Sequence, residues 1–214
     1  MPTTHCFCGA QGLTAVLAVG LAGMVSQAAQ PVATGEGARM MKTNNPVVTM
    51  KGKPVVLLGT PVEAGAPAPD FRVVDATFTP VKLSDFKGRV VLISAVPSLD
   101  TTVCSLQTKR FNEEAAQLPS NVVVLAISTD LPFAQKRFCE SEKIDRIRTL
   151  SDSVWRDFGM KYGILIDNMG LLARSIWIVA ADGRVAYRQI VPEITTHPDY
   201  DAALKAARDT AGKP

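Results

Sequence analysis

From Arg89 to Phe111 the chain reads RVVLISAVPSLDTTVCSLQTKRF, with no charged residue between Arg89 and Asp100. A run this apolar, rich in Val and Ile, lacks the alternation of a strand with one wet face. It fits a strand buried on both sides, which in turn demands a sheet covered on both faces. Pro97 breaks the run, having a fixed φ and no N–H. Ser98, Asp100 and Thr101 are good helix N-caps, and the residues after them have helical spacing that includes Leu106 and Phe111. The pattern predicts strand, turn and helix, with Cys104 in the first helical turn.

The same unit recurs. NVVVLAISTD repeats the buried-strand pattern, and LPFAQKRFCESEK the helical one, with Leu131, Ala134 and Phe138 expected on one face. Strand, helix, strand, helix in this order forces parallel pairing through crossover helices, hence a three-layer α/β sandwich. Upstream, VVTMKGKPVVLL carries a hairpin signal at Lys51-Gly52-Lys53, and FRVVDA and TPVKL read as short strands. Downstream, SVWRDFGMKYG reads as a short helix ending at glycine. ARSIWIVAADGRVAYRQIV reads as two strands joined at Asp182-Gly183, and PDYDAALKAARDT as a closing amphipathic helix with Tyr200, Leu204 and Ala207 facing in.

The first 35 residues contain no Lys, Arg, Asp or Glu, and Leu13 to Val25 is an apolar run followed by Ser26 and Ala28. That shape predicts a leader over residues 1–45, a signal peptide with cleavage near Ala28 and then a flexible linker, ahead of one domain over 46–214. The run is short for a membrane span, which needs about 20 apolar residues. Export to a periplasmic or external compartment is the expectation. The alternatives are an uncleaved anchor, or a cytoplasmic product whose start lies at Met40 or Met41. N-terminal sequencing of the native protein decides, and a first residue at either methionine ends the export reading.

Cleavage or a later start removes Cys6 and Cys8, leaving Cys104 and Cys139, an even count that suits one disulfide. The two histidines, His5 and His197, do not stand at ligand spacing from a cysteine pair, so zinc is not expected. The mature part has no C-x-x-C, which counts against a protein-disulfide oxidoreductase. A net charge of +3 with no basic stripe gives no reason to expect nucleic acid as a partner.

Cys104 has two readings. It can be a structural cysteine acting as a small hydrophobe. Alternatively, the unpaired N–H groups and partial positive charge of a first helical turn favour a thiolate over a thiol and make it a nucleophile. Its surroundings bear on the choice. Pro97, Thr101 and Cys104 stand as P-x-x-x-T-x-x-C directly after the buried strand. That pattern resembles the active-site loop of the peroxiredoxins, and PSLDTTVC is similar to the thiol peroxidase branch of that family. The resemblance runs from about Val47 to Ala207, including APAPDF and LSDFKG.

It implies a thioredoxin-like fold with an N-terminal β-hairpin and an enzyme that reduces hydrogen peroxide and organic hydroperoxides without a cofactor. Cys104 is then the peroxidatic cysteine. Cys139 is the resolving cysteine of an atypical 2-Cys cycle, the disulfide closing within one chain. Arg174, in GLLARSIWIV, matches the arginine of the site, with Thr101 as a hydroxyl donor and Pro97 as a wall against water. The backbone N–H groups of Cys104 and its neighbour are further donors. The resemblance also implies thioredoxin or a similar dithiol as reductant, a homodimer, and no stable membrane association. A protein-disulfide oxidoreductase and a non-catalytic module with a structural disulfide are the competing functions.

Overall fold

A computed structural model of the chain describes residues 47–212, so the leader expected over 1–45 lies outside the described residues. Eleven strands and four α-helices follow one another as β1 (Val48–Met50), β2 (Lys53–Val55), β3 (Leu57–Leu58), β4 (Arg72–Val74), β5 (Pro80–Lys82), β6 (Val90–Ala95), α1 (Thr102–Glu114), β7 (Val122–Ser128), α2 (Pro132–Glu142), β8 (Arg148–Ser151), α3 (Asp157–Lys161), β9 (Leu165–Ile166), β10 (Ser175–Val179), β11 (Val185–Ile190) and α4 (Tyr200–Ala211). The main sheet has the order β11-β10-β6-β7-β8-β4-β5.

β6, β7 and β8 are parallel, and α1 and α2 are their crossovers. Two successive crossovers advancing in one direction with the same hand must lie on the same face of the sheet. They do. Val90 and Leu92 of β6 share one core cluster with Cys104 and Phe111 of α1, Phe138 of α2 and Leu204 of α4. The intervening Val91, Ile93 and Ala95 share a second cluster with Phe158 of α3, Leu57, Leu58 and Trp177. The central strand is buried on both faces, which is why its sequence does not alternate.

The N-terminal hairpin forms as expected. β1 and β2 pair antiparallel across Lys51 and Gly52, both with positive φ (52° and 74°), the backbone of a type I′ turn. The second hairpin turns at Gly183 (φ 83°). α4 buries Tyr200, Leu204 and Ala207.

One expectation needs correcting, and one strand had not been expected. α2 does not turn Leu131 and Ala134 inward with Phe138; its buried stripe is Pro132, Gln135 and Phe138, and Leu131 is the exposed N-cap. Pro132 holds the first helical position, so Leu131 lies ahead of the helix with extended backbone and off its buried face. β8, with the sequence RTLS, carries no strand signal of its own and is recruited by pairing with β7.

Asp152, directly after β8, is buried, and among the described residues no basic side chain forms an ion pair with its carboxylate. Its carboxylate accepts the backbone N–H groups of Phe158 (3.2 Å) and Gly159 (2.9 Å). Burial outweighs these bonds and the nearby Arg156 charge, and pushes the acid up to about 6. The folded state therefore holds a proton that the unfolded chain releases. The contribution of this group to stability is complete below about pH 4 and is lost as the pH rises through 6, by an amount on the order of 3 kcal/mol. Urea unfolding of Asp152→Asn and the parent should show the variant gaining on the parent by that amount between pH 4 and pH 7. A pH-independent difference would refute it.

Candidate active site

α1 starts where the turn after β6 lets it. Pro97 is buried at the end of the strand run, and Ser98 follows with its carbonyl turned toward Thr101. That carbonyl accepts both the N–H (3.1 Å) and the hydroxyl (3.0 Å) of Thr101. Thr101 is the N-cap, with extended backbone, but its hydroxyl does not cap; it is spent on the turn. Ser105 N–H closes onto the Thr101 carbonyl at 2.9 Å. The N–H groups of Thr102, Val103 and Cys104 thus have no intrahelical acceptor, and Cys104 sits in the first turn as expected.

A carboxylate holds the turn from the other side. Asp130, in the loop after β7, accepts from the Ser98 hydroxyl (2.7 Å), Leu99 N–H (2.8 Å) and the Ser128 hydroxyl (2.8 Å). The loops after β6 and β7 are thereby clamped together just ahead of α1 and α2.

The Cys104 side chain is fully buried. Its sulfur accepts a hydrogen bond from Arg174 Nη2 at 3.2 Å. Arg174 immediately precedes β10 and is itself only 2% exposed. Each of its donor groups has a different acceptor: Nη1 donates to Gln107 Oε1 at 2.7 Å, and Nε to the Ile194 carbonyl at 2.8 Å. Gln107 Nε2 in turn donates to the Ser94 hydroxyl at 2.7 Å, tying the guanidinium to the central strand. Among the described residues no carboxylate is bonded to this guanidinium, so its positive charge complements negative charge on or beside the sulfur. A cleft of about 320 Å³ opens alongside, lined by Leu99, Thr101, Ser105, Arg137, Phe138 and Ser141, without reaching Cys104.

Cys139 lies in α2, half-buried against the same core cluster as Cys104. Both cysteines are free. The Cys139 sulfur is within hydrogen-bond distance of the Thr149 hydroxyl at 3.2 Å. Burial raises its thiol above the ordinary cysteine range, the Thr149 bond opposing and the Glu140 charge adding to the shift. It stays a thiol at neutral pH.

The structure therefore brings Cys104 and Arg174 into contact. It places Thr101 and Pro97 on the turn that launches α1, and sets Cys139 on the neighbouring helix with its own partner. Sequence reasoning missed Gln107, Ser94 and the Ile194 carbonyl. Gln107 carried a signal: three residues after Cys104, it shares the buried face of α1, where a polar side chain must find a partner.

Comparison with known proteins supplies the family. The Redoxin family model matches residues 63–204. The thiol peroxidase of Oceanobacillus iheyensis is 50% identical over 157 residues, 73% of this chain and 95% of the relative. That of Listeria innocua is 50% identical over 161 residues, 75% and 97% of the two chains. Among solved structures, a peroxiredoxin-like protein from Aquifex aeolicus aligns with a TM-score of 0.74 and 43% identity, covering 78% of this chain and 98% of its own. A buried cysteine opening a helix, an arginine aimed at its sulfur, a thioredoxin-like sheet behind both and relatives of near full length converge: the chain belongs to the thiol peroxidase branch of the peroxiredoxins, within the redoxin family.

Proposed function

We propose that this thiol-dependent peroxidase reduces hydroperoxides with the Cys104 sulfur as the attacking atom and Arg174 as the group that stabilises the charge of the departing oxygen. The observation that carries the reading is the 3.2 Å contact between Arg174 Nη2 and Cys104 Sγ, made by a guanidinium that no carboxylate among the described residues engages. A thiolate attacks one peroxide oxygen, the O–O bond breaks, and the second oxygen leaves with its electron pair as alkoxide or hydroxide and takes up a proton. The sulfur becomes a sulfenic acid and the peroxide an alcohol or water. A fixed donor aimed at developing charge is the larger part of such catalysis. Thr101 lies one turn from the sulfur, and its hydroxyl lone pairs can accept a hydrogen bond from the peroxide O–H while its own O–H stays donated to the Ser98 carbonyl. Pro97, buried and without an N–H, keeps water from the sulfur.

The Cys139 thiol then condenses with the sulfenic acid, forming the S–S bond and releasing water. A dithiol such as thioredoxin reduces the disulfide. Disulfide formation requires Cα atoms within about 7 Å and two sulfurs in bonding contact, so on this reading Cys104 exchanges its Arg174 contact and Cys139 its Thr149 contact for the S–S bond, with an end of α1 or α2 expected to unwind.

The test is consumption of cumene hydroperoxide or hydrogen peroxide with dithiothreitol. The parent should turn over. Cys139→Ser should complete a single turnover, accumulate the Cys104 sulfenic acid as a dimedone adduct, and then overoxidise. A Cys139→Ser protein that cycles with thioredoxin at the parent rate would remove Cys139 from the mechanism.

A further inference from the structure

The loop after β11 does more than close the sheet edge. Its residue Ile194 supplies the carbonyl that accepts Arg174 Nε at 2.8 Å, and the Arg174 carbonyl accepts Val191 N–H at 2.9 Å. Between these two anchors stands Glu193, on the outside of the molecule. Its carboxylate is surrounded by donors from two distant parts of the chain. Thr49 Oγ1 (2.9 Å), Lys51 N–H (3.0 Å) and Gly52 N–H (2.9 Å) come from the N-terminal hairpin. Thr195 N–H (3.0 Å) and the Thr195 hydroxyl come from the loop itself. The two positive-φ residues of the hairpin turn aim successive backbone N–H groups at one carboxylate, an arrangement that favours an anion. Backbone bonds run parallel to this staple: Thr49 N–H donates to the Pro192 carbonyl at 2.7 Å, and Ile194 N–H donates to the Thr49 carbonyl at 2.9 Å. These donors hold the Glu193 carboxyl well below the usual carboxylate range, so it stays charged across the working pH.

We propose that Glu193 is a positioning residue for Arg174: by pinning the loop after β11 onto the β1–β2 hairpin, it fixes the Ile194 carbonyl that aims the guanidinium at the Cys104 sulfur. The N-terminal hairpin thereby acts as a brace for the active site, although none of its side chains touches the sulfur or Arg174. The inference rests on the reading of Arg174 given above. It follows from the geometry of a three-pronged guanidinium. With Nη1 on Gln107 and Nη2 on the sulfur, the Nε bond is the remaining constraint on the plane of the group, and its acceptor is a loop carbonyl with no strand partner of its own.

The test is a double-mutant cycle of Glu193→Gln and Arg174→Lys in the full chain, read as kcat/KM for cumene hydroperoxide, KM for dithiothreitol and the melting temperature. A glutamine cannot serve both sides of the carboxylate. Whichever way its amide is turned, the NH2 group faces at least one backbone N–H. Glu193→Gln should lower kcat/KM for the peroxide by about 10- to 100-fold, as for a catalytic group displaced by about an ångström, and leave KM for dithiothreitol unchanged. In the Arg174→Lys background the same change should cost less than about twofold, because the group it aims is gone. A merely structural staple would cost the same in both backgrounds, and that result, or parent activity in Glu193→Gln, overturns the proposal. Arg174→Lys with full activity would sink the role of Arg174 and the brace together, while leaving the peroxidase reading to stand on Cys104. If Glu193→Gln does not fold, Thr49→Val enters the same cycle, with a smaller loss expected and the same dependence on Arg174.

Discussion

Replacing Cys104 with serine leaves a folded protein whose peroxide consumption falls to the background of dithiothreitol alone. The substitution is close to isosteric, and a hydroxyl oxygen can still accept the Arg174 Nη2 hydrogen bond that the sulfur accepts now. Thr108 bonds to the carbonyl of residue 104, not to its side chain, and is unaffected. Melting temperature therefore reports little, and activity reports everything. An alcohol of pKa far above neutrality offers almost no alkoxide to attack an O–O bond, and the arginine cannot compensate for a missing nucleophile. A Cys104→Ser protein that still consumed peroxide catalytically would show that the chemistry lies elsewhere.

The second large effect is expected at Arg174. Arg174→Lys keeps the charge and loses the fork. Three acceptors, the Cys104 sulfur, Gln107 Oε1 and the Ile194 carbonyl, stand around the guanidinium in one fixed arrangement. A single ammonium at the end of a flexible stem cannot meet all three. Loss of a preorganised donor to developing charge costs about 100- to 1,000-fold in rate, or about 3 to 4 kcal/mol. The loss should appear in kcat/KM for the peroxide and not in reduction of a preformed disulfide by dithiothreitol, which makes no use of a leaving alkoxide. Equal losses in both half-reactions would mean a collapsed site rather than a missing donor. The buried setting adds a stability cost, since Gln107 and Ile194 would be left with unmatched polar atoms.

How much of this could be read from the chain alone depended on whether the determining interactions were local. β6 and α1 were legible because burial on both faces, a proline stop and N-cap residues all lie within 23 consecutive positions, Arg89 to Phe111. The hairpin at Asp182-Gly183 and the inward face of α4 were legible for the same reason. Cys104 and Arg174 were found through the resemblance, and their contact across 70 positions of sequence is what the fold supplies. β8 was not legible: RTLS has no apolar run, and its place is set by β7. The face of α2 was misjudged because Leu131 and Phe133 are apolar yet exposed, and apolar spacing cannot distinguish a core stripe from a bare one. Glu193 was unreadable in principle, since its meaning depends on the hairpin some 140 residues earlier.

The two crossovers on one side of the sheet carry a last consequence. α1 and α2 leave adjacent parallel strands and are laced together at their far ends, where Lys109 meets Glu142 at 2.6 Å and Asn112 receives the N–H groups of Asp145 and Arg146. On the function proposed above, the attacking sulfur and the second thiol come from two adjacent helices and the aiming arginine from the start of β10, all within one polypeptide. On that reading, peroxide attack and disulfide closure proceed at a rate independent of the encounter frequency between copies, and only the return to the dithiol state waits on an external reductant.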